Sequence, residues 1–277
     1  MSVSFRDRLR EAQRRHGSLL CIGLDPDPQM LEGRHIPSFL QAVIEATCDI
    51  VCCYKVNLAF FEVLGPGGMN VLLEAIAPVP PSVPIIADAK RGDVPHVARL
   101  YARALLEVYG FDAITVNPYG GPDALEPFLE YQDKGVFVWC RGSNPGAAHL
   151  QTLPTADGRP FFLVVADMVR ALDRGNAGLV VGATAPDDIA AVRHLCPDMP
   201  LLVPGVGPQG GDLEAAVAAG LDREGGGLIV VAARRVLYTD GRPLDPQAVR
   251  RRAQSLRDEI ERAREKALSD LGHVGGG

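Results

Sequence analysis

The segment IIADAKRGDV, residues 85–94, closes an apolar run with two carboxylates and an ammonium, Asp88, Lys90 and Asp93, within six residues. Removing water from an ion costs several kcal/mol even after the protein relaxes, so charges this close either form a solvated turn or meet an ionic partner. Three further groups join them once strand alternation is applied, because residues two apart share a face. Ile86, Asp88 and Lys90 then point one way, as do Cys53, Lys55 and Asn57 of IVCCYKVN, and Cys21, Gly23 and Asp25 of LLCIGLD. In each run the polar residues come last. If the three runs are neighbouring parallel strands, Asp25, Lys55, Asp88 and Lys90 converge on one rim, and ionisable groups gathered in a cleft mark a candidate site.

The elements that must hold these groups recur along almost the whole chain. Eight apolar runs, at residues 19–25, 50–57, 84–90, 112–118, 135–142, 177–183, 200–207 and 227–234, alternate with helix-like segments. Runs this continuously hydrophobic are buried on both faces, as in parallel sheets covered by helices. Eight such units in about 250 residues match an α/β fold of the (β/α)8 TIM barrel type, in which the catalytic groups sit at the C-terminal strand ends. No linker divides the sequence, and a single barrel domain over residues 1–270 is expected, opened by a helix in which Ser4 and Asp7 form a variant capping box. The helix-like segment after Asp93 is expected to bury Val97, Leu100, Ala104 and Val108, which recur at helical spacing. A long helix from about Pro246 to Asp270 closes the fold, and residues 271–277 read as a disordered tail.

In this architecture the loops after strands seven and eight commonly hold phosphate. Here they are the glycine-rich PGVGPQGGDLE and the run VVAARR, which ends near Arg234. The stretch 141–160 exceeds the usual loop length and is expected to be an irregular functional lid. Trp139 is expected to pack between strand and helix, while His96, His149 and His194 are scattered and make no metal set.

Composition limits the partners. The 277 residues carry a formal net charge of -6, which disfavours a broad nucleic-acid or anionic-membrane surface and leaves room for a small anion held by a few cations. No window approaches the roughly 18 continuous apolar residues of a membrane span. The amino terminus lacks the apolar core of a secretory signal, and the six cysteines show no zinc or disulfide spacing, so a cytoplasmic protein with reduced thiols is expected.

DAKRGD fits the D-x-K-x-x-D pattern of the orotidine 5′-phosphate decarboxylase suprafamily. GLDPDP, YKVNLAFFE, VNPYGG, CRGSNPGA, PGVGPQGGDLE and ARRVLY occur in family order, so the chain resembles the longer bacterial subgroup over nearly all its strands. The resemblance implies a decarboxylase that makes UMP from orotidine monophosphate with no cofactor and no metal, as a homodimer with sites near the subunit interface. It implies Lys90 as catalytic lysine and proton donor, completed by Asp88 and Lys55, with Asp93 reaching across from the partner. Asp25 is implied for the ribose hydroxyls, Ser143 for the pyrimidine, Pro204 for the edge of the base, and Gln209 with Arg234 for the phosphate. The chain departs from the family pattern at Val97, where a threonine is frequent, at Val56, at Ala232 and Ala233, and at Arg235. Two alternatives share parts of this pattern, a Mg-dependent keto-sugar-phosphate decarboxylase or aldolase of the same suprafamily, and a non-catalytic nucleotide-binding barrel.

Overall fold

Alternate side chains of the expected strands part into two separate apolar clusters. Cys21, Cys53, Ile86, Ala113, Phe137, Val180, Leu202 and Ile229 face inward on one another, while neighbours such as Ile22, Tyr54, Ala87, Ile114, Val138, Leu179, Val203 and Val230 pack outward beneath helices. The computed structural model, which describes residues 3–206 and 211–274, closes all eight strands into one parallel barrel in sequence order. The strands are β1 (Leu20–Gly23), β2 (Cys53–Asn57), β3 (Ile85–Arg91), β4 (Ala113–Val116), β5 (Gly135–Arg141), β6 (Ala177–Val181), β7 (Leu201–Pro204) and β8 (Leu228–Ala232). Closure is parallel throughout, with Cys21 level with Cys53 on one side and with Val231 on the other. A closed parallel ladder leaves no edge to be protected.

The barrel floor is sealed by the opening helix, Phe5–His16, whose Ser4 cap accepts a hydrogen bond from the Asp7 amide and donates one to its carboxylate. Phe5 and Leu9 enter the inner cluster, and the Phe5 ring meets Phe137 edge-on at 5.8 Å. Gly135 makes room for it, since a β-carbon there would stand 2.5 Å from the ring. Polar ties fix the helix around the floor. Arg8 pairs with Asp112 ahead of β4, Arg6 pairs with Asp173 and donates to the Ala177 carbonyl, and Gln13 donates to the Leu228 carbonyl.

Three expectations are corrected. The helix after Asp93, Pro95–Ala102, turns Ala98 and Ala102 to the core and continues through a π turn at Arg103–Val108 that buries Leu105 and Leu106. Leu100 and Val108, expected inside, are 64% and 69% exposed. Small residues let the helix lie close on the sheet, and the π turn shifts the phase of the stripe, so the bulky apolar positions are left outside. The stretch 141–160 is not irregular throughout, because Pro145–Ala147 form a 3-10 turn, Ala148–Gln151 a helical turn, and Pro154 bridges to Pro160. The closing helix runs Pro246–Val274, beyond the expected end, because one glycine costs a helix only about 1 kcal/mol. The rest of the expected tail, residues 275–277, lies outside the described residues. Among the described residues, no helix is long and apolar enough to cross a membrane.

Candidate active site

At the C-terminal rim the first three strands set down charges of alternating sign. Lys55 Nζ stands 3.5 Å from Asp25 Oδ1 and 3.0 Å from Asp88 Oδ2, and Asp88 Oδ1 takes the Lys90 ammonium at 2.5 Å. The parity of β2 directs Lys55 here, directly above Cys53 of the inner cluster. Asp25 is steadied by the Asn57 amide at 3.3 Å, and its backbone carbonyl accepts from the Tyr238 hydroxyl. Gly23 permits the approach of β1 to the end of β8, because a β-carbon there would lie 2.8 Å from that of Ala233.

Burial divides the labour among these groups. The Lys55 side chain is 6% exposed and locked between two carboxylates, whereas Lys90 is 35% exposed and leans into the mouth, its ammonium 5.8 Å from the centre of the Trp139 ring. Burial pushes the Asp88 carboxyl up, but Lys55 and Lys90 together outweigh it and hold the group well below the usual carboxylate range. Burial likewise opposes the charge on Lys55, and Asp25 and Asp88 overcome it, so the ammonium titrates above the ordinary lysine value. Asp88 is therefore anionic and Lys55 cationic throughout the neutral range. Replacing a buried ion array with apolar side chains is often neutral or stabilising, so this one is better explained by chemistry than by stability.

Lys90 also carries backbone strain. Its φ of 46° is in the left-handed region, which costs a residue with a β-carbon roughly 1–2 kcal/mol. It falls where β3 takes four steps, from Ala87 to Arg91, against two on β4, from Ile114 to Val116. Irregularities of this kind re-aim side chains beside active sites. The alternation argument thus reached the right rim for Lys90 although the strand is not regular there.

The mouth opens into a cavity of about 340 Å³, lined by Asp25, Lys55, Asp88 and Lys90 and also by Ser143, Pro204 and Arg234. Seven of the nine expected site residues therefore share one cavity. Arg234 is exposed, and its guanidinium has no ion-pair or hydrogen-bond partner among the described residues. Gln209 lies outside the described residues. Asp93 does not reach the cavity of its own chain; it is exposed, and its carboxylate accepts from the Val94 amide.

Other lining residues were not among the expected nine. Trp139 was expected between strand and helix and instead forms part of the cavity wall; the inward parity of Phe137, two residues earlier, is the signal that could have found it. Asn57 shares the face of Lys55 and lines the mouth as well. Arg141 lies on the wall, its guanidinium held by Asp188 at 2.8 Å. Thr115 of β4 is buried behind the ions and contacts both Asp88 and Lys90; the inward parity of Ala113, two residues earlier in the run DAITVNP, is the signal that could have found it.

Comparison with known proteins gives a consistent result. Residues 18–246 match the model of the "Orotidine 5'-phosphate decarboxylase / HUMPS family". The orotidine 5'-phosphate decarboxylase of Thermomicrobium roseum is 48% identical over 98% of this chain and 100% of its own length. That of a Roseiflexus species is 47% identical, covering 94% and 98% respectively. Among solved structures, the OMP decarboxylase of Leishmania donovani superposes with a TM-score of 0.84 at 39% identity, covering 95% of this chain and 99% of that one.

Proposed function

Because the chain belongs to the orotidine 5′-phosphate decarboxylase / HUMPS family, we propose that its barrel mouth converts orotidine 5′-phosphate to UMP and carbon dioxide, a step of pyrimidine nucleotide biosynthesis. The observation that carries this reading is the alternating array Asp25, Lys55, Asp88 and Lys90 sharing one cavity with Arg234, whose side chain has no partner among the described residues. Arg234, with Gln209, takes the phosphate as a charge-assisted fork. Asp25 receives the ribose hydroxyls, Ser143 meets the pyrimidine, and Pro204 borders the base.

The chemistry follows from where charge appears. When the bond between C6 of the pyrimidine and its carboxylate breaks, carbon dioxide leaves and the electron pair stays on C6, in an orbital the ring cannot delocalise well. A fixed ammonium beside C6 stabilises that pair as it forms, without the reorganisation that water would need. Lys90, the more accessible lysine, fills this role and then transfers its proton to C6. Asp88 stands beside the departing carboxylate and holds both lysines in place. Lys55 stays charged and fixes Asp88.

The reading is tested by the ultraviolet change on loss of orotidine 5′-phosphate, followed with and without EDTA. Turnover at the same rate in both is expected. A folded protein that leaves the substrate intact overturns the assignment, and turnover abolished by EDTA points instead to the Mg-dependent chemistry of the suprafamily.

The working unit is a homodimer. Glu62 ion-pairs with Arg91, whose guanidinium lies 5.5 Å from the centre of the Tyr101 ring, which brings the Val63–Leu64 turn beside the helix that carries Leu100. Val63, Val94 and Leu100 are all more than half exposed, and an apolar patch of this kind beside a charged mouth marks an interaction surface. A second copy seated there brings its own Asp93 to the mouth. Lys90→Ala and Asp93→Asn homodimers should both be nearly inactive. Mixing and re-pairing them should restore roughly a quarter of wild-type activity, since half the dimers are mixed and one of their two mouths is intact. No gain on mixing would place Asp93 outside the partner's site. The six cysteines are all free thiols, which suits the cytoplasm, where we assign the reaction.

A further inference from the structure

We propose that Thr115 is a positioning residue for this reaction, setting where the Lys90 ammonium stands; the inference rests on the decarboxylase reading. Thr115 is 1% exposed and is not part of the cavity wall, so it does not meet a ligand directly. It occupies the middle of the two-step stretch of β4 that faces the longer path of β3, where the ordinary ladder between the strands is interrupted. In place of the ladder its hydroxyl accepts the Lys90 amide at 3.0 Å and donates to Asp88 Oδ1, also at 3.0 Å. That same oxygen receives the Lys90 ammonium. The result is a closed ring, running from the Lys90 amide through the Thr115 hydroxyl and one carboxylate oxygen to the Lys90 side chain.

The ring has two consequences. Lys90 is held at a positive φ that an unsupported residue with a β-carbon avoids, and the anchor that replaces its missing strand partner is this hydroxyl. The hydroxyl has one proton. Because it accepts from an amide, that proton is free for Asp88, which fixes the carboxylate oxygen that orients the ammonium. The shape of Thr115 is reproduced by valine, but neither hydrogen bond is.

Thr115→Val should therefore lower kcat about 10–100-fold, the scale expected of a small misplacement of a reacting group. UMP affinity, read by titration, should stay within about threefold of wild type, because the cavity wall is untouched. Thr115→Ser keeps the hydroxyl and should retain kcat within about threefold. A merely structural role would lower thermal stability and weaken UMP binding along with turnover. The proposal is overturned if Thr115→Val keeps kcat, if UMP binding falls in parallel with it, or if serine is as damaging as valine. Should valine not fold, Thr115→Ser and Thr115→Ala differ only by the hydroxyl. Equal kcat in that pair also overturns the proposal, and a clear deficit in alanine supports it. Wild-type turnover in the same assay separates the two readings, since its absence defeats the decarboxylase assignment itself.

Discussion

Lys90→Ala should lower kcat by about 10⁴-fold or more while the barrel remains folded. In the proposed reaction one side chain both stabilises the charge on carbon, worth about 10²–10³-fold, and delivers the proton, worth about 10²–10⁴-fold. The fold survives because the Lys90 side chain is 35% exposed at the rim and none of the inner or outer apolar cluster rests on it. Asp88 keeps two of its donors, Lys55 and Thr115, and so remains paired. UMP binding, which under the proposed reading draws on Arg234 and other residues of the cavity wall, should persist. Lys90→Arg supplies the control: it restores positive charge, but a guanidinium holds its proton too tightly to give it up, so turnover should stay low. The measurement is kcat from the ultraviolet assay alongside a UMP titration. Activity within tenfold of wild type in the alanine variant would remove Lys90 from the chemistry.

Arg193→Met should destabilise the protein by about 3 kcal/mol or more, since buried acceptors stripped of their donor cost roughly 1–3 kcal/mol each. Arg193 lies in the last turn of the Pro186–Leu195 helix and is 8% exposed, yet among the described residues no carboxylate pairs with its guanidinium. It donates instead to five carbonyls, those of Gly220, Gly227, Cys196, Pro197 and Met199, which lie in the connections that enter β7 and β8 from below. Burial lowers its affinity for the proton, and Asp222 offsets this only in part. The fork is thus a staple for two loops at the floor of the barrel, the end that serves stability in this architecture. In a reversible melt the loss should appear as a fall of about 6–12 °C in Tm. The kcat of the folded fraction should be unchanged, because the mouth is at the other end. A variant that melts with wild type would show that the carbonyls find other donors.

What the sequence exposed and what it hid follow different physics. Period-2 alternation and continuous apolar runs are local signals, and they located all eight strands and the ionic rim; the same parity rule put Asp25, Lys55, Asp88 and Lys90 together. Arg193 stayed hidden because its importance comes from backbone carbonyls that the fold brings to it, which no spacing encodes; parity from Ala113 turns Thr115 inward, but its bonds to the Lys90 amide and Asp88 depend on the irregular step of β3. Trp139 was misplaced by treating a large aromatic as filler between layers, although its own strand pointed it inward. The helix after Asp93 misled for the opposite reason. Its bulky residues Leu100 and Val108 form the more conspicuous stripe, while the face that touches the sheet is built from alanines.

The plug beneath the barrel has a consequence for synthesis. Helix Phe5–His16 leaves the ribosome well before its partners Asp112, Asp173 and Leu228, which lie 104, 167 and 215 residues further along the chain. At about 5–20 residues per second, its last anchor emerges roughly 10–45 s later. A lone helix of 12 residues is marginal in water. Until then the barrel floor that buries Phe5, Leu9 and Ala12 is incomplete, so a segment translated early is seated late, and its apolar face waits on strands that close the barrel.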